Sequence, residues 1–155
     1  MALVNVVKKV EKARDKLGLQ PGEVVIAGCT TNPSGTMKKM LAKELGGVLG
    51  SAVASRGGGT DVEPENSMAS QFPSGQHFLV LTNTRLFCTN VGAFSGNPKE
   101  IVQEWPRHAV VGLAADSGRM AVPLTLAFSD GTAVQVEGAK GSNPNSIVEA
   151  FDQAA

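Results

Sequence analysis

The sequence predicts a mainly β (α+β) fold: a bent antiparallel sheet or barrel of about seven strands, capped by a C-terminal helix. An N-terminal helix and a glycine-rich helix inserted after the first strand complete the expectation. Three observations carry it. Short β-favouring runs recur between turn signals across most of the chain. Apolar residues at helical spacing frame these runs at both ends. The central stretch 76–91 reads as a hairpin, with apolar arms at 78–81 and 86–89 around a polar Asn83-Thr84 break. Both faces of each arm are apolar, so the pair is expected in mid-sheet, covered on both sides. Asparagine tolerates a positive φ, so Asn83 is the expected point of reversal.

In order, Leu3, Val6, Val7, Val10, Ala13, Arg14 and Leu17 recur at helical spacing, with Lys8, Lys9, Lys12 and Asp15 largely between them. Gly18 is placed to close that helix in the left-handed conformation. Residues 23–29 read as the first strand, running into a polar loop at 30–35. From 36 to 55 the pattern turns helical: Met37, Met40, Leu41, Leu45, Val48, Leu49 and Ala52 form one stripe. Gly46, Gly47 and Gly50 in that helix cost about 1 kcal/mol each relative to alanine, which packing must offset. Residues 56–75, with Gly57-Gly58-Gly59, three acids and two prolines, read as a long flexible loop.

Beyond the hairpin, 100–105 is extended or helical and ends at Pro106; 107–115 and 122–128 are strands. Asp130-Gly131 is the clearest turn signal, joining 122–128 to 132–136. Asn143-Pro144 supplies a helix start, and Ile147, Val148, Phe151 and Ala154 mark a C-terminal helix. The chain therefore divides into an N-terminal helix at 1–19 and one domain at 20–155.

With 155 residues, one domain can bury a sufficient core without disulfides or a metal. Fourteen basic residues balance fourteen acidic ones, which argues against nucleic acid as a partner. Cys29 and Cys88 sit in apolar strand-like runs and read as small buried hydrophobes, the alternatives being a disulfide or a reactive thiol. Lys8 and Lys9 interrupt the N-terminal apolar residues, so no signal peptide is read and a cytoplasmic location is expected.

No complete chemical motif is present. Gly35 is followed by Thr36 and Met37 before Lys38, which breaks the phosphate-loop order. His77 and His108 each stand without a ligand partner at metal spacing, and no serine or cysteine sits in a nucleophile context. A non-enzymatic protein without cofactor or metal is expected, with an enzyme using Cys29 or Cys88 as the rival reading. Arg85, Arg107, Arg119 and Lys140 are candidates for an anion site on one rim, against ordinary solvated surface. Trp105 before Pro106 is either an exposed peptide-binding aromatic or a packing residue at the barrel end.

Gln20-Pro21-Gly22-Glu23, the phrase Leu79-Val80-Leu81-Thr82-Asn83-Thr84-Arg85-Leu86, Trp105-Pro106-Arg107 and Phe128-Ser129-Asp130-Gly131 resemble the bacterial pleckstrin-homology-like domains, common in actinobacteria. The resemblance spans roughly 21–153. It implies a curved antiparallel sheet closed at one end by the last helix, and it implies no catalytic residues. The chain departs from lipid-binding eukaryotic relatives in lacking a basic cluster after the first strand.

The expected partner surface is the glycine-rich helix. Gly46 with Gly50, and Gly47 with Ser51, are small residues four apart that let another backbone approach. Met37, Met40, Leu41, Gly46, Gly47, Leu49, Gly50, Ser51 and Ala54 are the candidate contacts, and a homo-oligomer or another protein the expected partner. The alternatives are packing on the protein's own sheet, or a peripheral membrane contact through Lys38, Lys39 and Lys43.

Overall fold

A computed structural model describes residues 5–32, 38–41, 68, 71–73, 75–116 and 121–154. Two short helices, α1 (Val6–Lys12) and α2 (Arg14–Leu17), precede β1 (Val25–Asn32) and β2 (Lys38–Leu41). Six more strands follow: β3 (His77–Thr82), β4 (Arg85–Val91), β5 (Pro98–Pro106), β6 (Val110–Ala115), β7 (Ala121–Phe128) and β8 (Thr132–Ala139). Helix α3 (Asn145–Ala154) ends the described chain.

The fold is mainly β, as expected. Seven strands form one open antiparallel sheet in the order β5-β4-β3-β1-β8-β7-β6, and β2 pairs with β8 off this path. Strand β8 is shared along its length. Its residues Thr132 to Gln135 face Leu41 to Lys38 of β2, and Glu137 and Gly138 face Asn32 and Thr31 of β1.

The centre of the hairpin is enclosed: all six residues of β3 and Leu86 to Thr89 of β4 are buried. Its alternation feeds two cores. Leu79, Leu81, Leu86 and Cys88 face the larger one, with Trp105, Leu124, Leu126, Phe128, Val134 and the α3 residues Ile147 and Phe151. Phe78, Val80 and Phe87 point to the other face, where Val6, Val10 and Leu17 of α1 and α2 cover them. The β3–β4 half of the sheet is thus a layer between the N-terminal helices and the bent remainder, with α3 inside the bend. A bulge at Ile26 lets β1 serve both cores, since Val25 joins the smaller and Ala27 and Cys29 the larger.

Several local expectations are corrected. The helix expected over 36–55 does not begin there: Lys38–Leu41 is strand β2, because pairing with β8 satisfies its backbone and overrides the helical spacing. The rest of that segment lies outside the described residues. Strand β1 continues through Thr30 and Asn32 instead of ending in a loop, held by β3 on one side and the end of β8 on the other. The loop expected over 56–75 is anchored near its end, where Phe72 is buried and stacks on Trp105 with ring centroids 5.8 Å apart. The undecided piece at 100–105 belongs to strand β5, and Arg107–Ala109 is a 3-10 turn preceding β6.

Asn83 does not take the left-handed conformation; among the described non-glycine residues only Asn143 does, at φ 55°. Gly18 closes α2 at φ 72°, as its sequence position predicts. Gly131 sits at φ 87° in the β7–β8 turn.

Candidate functional site

The motifs that carried the family resemblance meet in space. Glu23, just before β1, is buried beneath the β3–β4 turn. Its Oε2 accepts from Arg85 Nε at 2.8 Å, Thr82 Oγ1 at 2.8 Å and Thr84 Oγ1 at 3.1 Å. Its Oε1 accepts from Arg85 Nη2 at 3.0 Å and the Gln20 amide at 3.1 Å. Burial alone would raise this carboxyl, but the bonds from Arg85, Gln20 and Thr82 outweigh it and hold the pKa at about 2. Asn83 adds two links: Oδ1 accepts the Val24 amide at 2.8 Å and Nδ2 donates to the Gly22 carbonyl at 3.2 Å.

This cluster is a structural knot. Every oxygen of the carboxylate is engaged by a donor from the same chain, so none is free for a substrate proton. Arg85 also binds Glu104 on β5 and lies over the Phe87 ring. Of the four residues expected on an anion rim, Arg85 and Arg107 are engaged within the chain and Lys140 is exposed. Arg85 is committed to carboxylates, Arg107 stacks over Phe151 at 4.5 Å, and Arg119 lies outside the described residues.

The thiols are equally withdrawn. Cys29 and Cys88 are both free and fully buried, and each faces Leu79 from the neighbouring strand. Two strand spacings separate them, about 9–10 Å, beyond the roughly 7 Å that a disulfide spans. Burial pushes the Cys29 thiol up to about 12. Burial, then the proximity of Cys29, raises Cys88 as well. Trp105 is a packing residue, 2 % exposed, stacked on Phe72 and tilted against Phe128 at 5.2 Å. His77 is buried with Nδ1 3.0 Å from the Gly75 carbonyl, whereas His108 is exposed.

Neither the family models nor the curated proteins contain a match to this sequence.

Of the residues expected to meet a partner, Met40 and Leu41 lie on β2 with Lys38 and Lys39. Met37, Lys43, Gly46, Gly47, Leu49, Gly50, Ser51 and Ala54 lie outside the described residues. A feature that sequence reasoning missed is a basic recess of about 490 Å³ between the N-terminal helices and the β4–β5 turn. Lys8, Lys9, Lys12 and Lys16 line it, with Asn97 and Pro98 opposite. Among the described residues no acid belongs to its lining. Lys9 Nζ donates to Asn97 Oδ1 at 3.1 Å and so ties the helix to the turn. The signal was available: Lys8, Lys12 and Lys16 recur every four residues. With α1 and α2 docked by Val6, Val10 and Leu17, all three stay exposed.

Proposed function

We propose that this protein is a non-enzymatic binding or assembly module of the pleckstrin-homology-like type, self-associating through the glycine-rich segment. The observation that carries the reading is the use made of the reactive side chains. The buried carboxylate is saturated by internal donors, and both thiols are enclosed with their pKa values raised. The seven-strand bent sheet with a helix inside its bend agrees with the architecture that the resemblance implies.

Strand β2 ties the start of the inserted segment to the sheet at β8. The association surface is the one the sequence predicts, Met37, Met40, Leu41, Gly46, Gly47, Leu49, Gly50, Ser51 and Ala54, of which Met40 and Leu41 lie on β2. Small residues four apart let a second backbone come close, and a symmetric dimer is the simplest closed assembly.

Light scattering of the full chain over a range of concentrations tests the reading. An oligomer that dissociates when Gly46 and Gly50 are changed to leucine is the expected result. A monomer at every concentration, unaffected by those substitutions, overturns it.

A further inference from the structure

The turn joining β4 to β5 carries the most exposed large apolar side chain among the described residues. Phe94 is fully open to water, with Ala93 and Ser95 also exposed on either side. The turn is nevertheless well held. The Gly92 amide donates to the Asn97 carbonyl at 2.9 Å, the Gly96 amide to the Gly92 carbonyl at 2.9 Å, and the Asn97 amide to Ser95 Oγ at 3.2 Å. A fixed turn that displays a phenylalanine to solvent loses apolar burial for no internal gain.

Its surroundings are basic. On one side of the turn lies the recess lined by Lys8, Lys9, Lys12 and Lys16. On the other is a second recess of about 380 Å³, bounded by Gly92, Ala93 and Gly96 and again by Lys9. Lys99 is exposed at the start of β5. Of the acids on these elements, Glu11 is paired with Arg14 at 2.9 Å and Glu104 with Arg85, while Asp15 is exposed on α2 and Glu100, also exposed, accepts from the neutral Asn90 amide at 3.3 Å. Five lysines against two carboxylates outside any ion pair among the described residues, Asp15 and Glu100, leave this end of a neutral chain locally positive.

We propose that the Phe94 turn and the lysines of α1 and α2 form a docking surface for an anionic membrane, the ring entering the interface and the ammonium groups meeting lipid headgroups. The occupant is argued from shape and charge together. A single aromatic standing at the tip of a tight turn offers nothing for a pocket to grip on its flanks, but it suits a fluid apolar phase. Lysines are point charges on flexible stems, suited to diffuse anionic charge rather than to one fixed ligand. The surface is separate from the glycine-rich segment and goes beyond the association reading.

Sedimentation of the full chain tests it, with vesicles of phosphatidylcholine alone and of phosphatidylcholine with phosphatidylglycerol in equal parts. Binding to the mixed vesicles, weakened by salt and absent from the neutral ones, is expected. Phe94→Ala should weaken it about tenfold, the loss of one ring from an apolar phase. The triple change Lys8→Gln, Lys12→Gln, Lys16→Gln should weaken it about a hundredfold or more. Inorganic phosphate at matched ionic strength should not compete, which separates a lipid surface from a free-phosphate site. Dichroism and Trp105 fluorescence check that the variants fold, since every changed side chain is exposed. Equal pelleting with both vesicle types, unchanged binding by Phe94→Ala, or displacement by phosphate overturns the proposal. Light scattering of Phe94→Ala should match the parent, so failure here leaves the association reading standing.

Discussion

Glu23 and Arg85, separated by 62 residues in the chain, face each other as a two-bond ion pair at 2.8 and 3.0 Å. The carboxylate is enclosed and the guanidinium largely so, with side chains 1 % and 18 % exposed. The pair locks the entry of β1 to the β3–β4 turn, and through Glu104 it reaches β5.

That geometry predicts an acid-dependent stability. The folded carboxyl titrates at about 2 against an ordinary 4.5, so the unfolded chain takes up the proton first as pH falls. The contribution, on the order of 3 kcal/mol, is complete above about pH 5 and is lost as pH falls from about 4.5 toward 2. Glu23→Gln should start less stable by about 3 kcal/mol or more, because Arg85 loses its buried partner. Its stability should then fall less steeply through this window. Urea titrations at several pH values check this, and parallel curves would contradict it. Carbon NMR of the Glu23 carboxyl gives the titration directly should the variant fail to fold.

Gly138 should not tolerate a side chain. A Cβ there would stand 2.7 and 2.8 Å from the Pro144 ring and 3.2 Å from Leu124. The proline ring leading into α3 cannot swing aside, so Gly138→Ala should cost about 1–3 kcal/mol. Gly141→Ala, with nothing within 4 Å, serves as the control and should be near neutral. A Gly138→Ala midpoint in urea equal to the control's would show that α3 gives way freely.

Trp105 is the single tryptophan of the chain, so its fluorescence reports the larger core without ambiguity. Native emission should be blue-shifted and resistant to iodide quenching, and should move red on unfolding. Trp105→Ala should cost about 3–5 kcal/mol. Trp105→Phe should cost less than about 2 kcal/mol, since a ring remains between Phe72 and Phe128 and the indole N–H has no acceptor among the described residues. Unfolding followed by dichroism measures both, and an alanine variant within about 1 kcal/mol of the parent would exclude the packing role.

Neither thiol should react with an aromatic disulfide reagent in the folded protein near neutral pH, because both are buried and protonated. Both should react at once in guanidinium. Rapid labelling of the native protein would reveal an opening of the sheet between β1 and β4 that the packing does not provide.

Sequence alone determined the elements whose signal is local. The hairpin arms, the Asp130-Gly131 turn, the Gly18 helix end and the C-terminal helix all depend on near-neighbour chemistry: turn residues, capping conformations and short-range apolar periodicity. Burial of Cys29 and Cys88 was legible for the same reason, each lying in an apolar run, whereas Trp105 stands among polar neighbours and its packing role needed the structure. Tertiary structure decided the rest. Met40 and Leu41 match a helical stripe, yet β8 presents an unpaired edge and draws them into a strand, a preference no local window contains. Arg85 reads as surface charge until Glu23 is brought to it from across 62 residues. The lysines of α1 and α2 come to line one recess with Asn97 and Pro98 once Val6, Val10 and Leu17 have docked on β3 and β4. Pairing partners and charge neighbours are set by contacts distant in sequence, and those exist only after the chain has closed on itself.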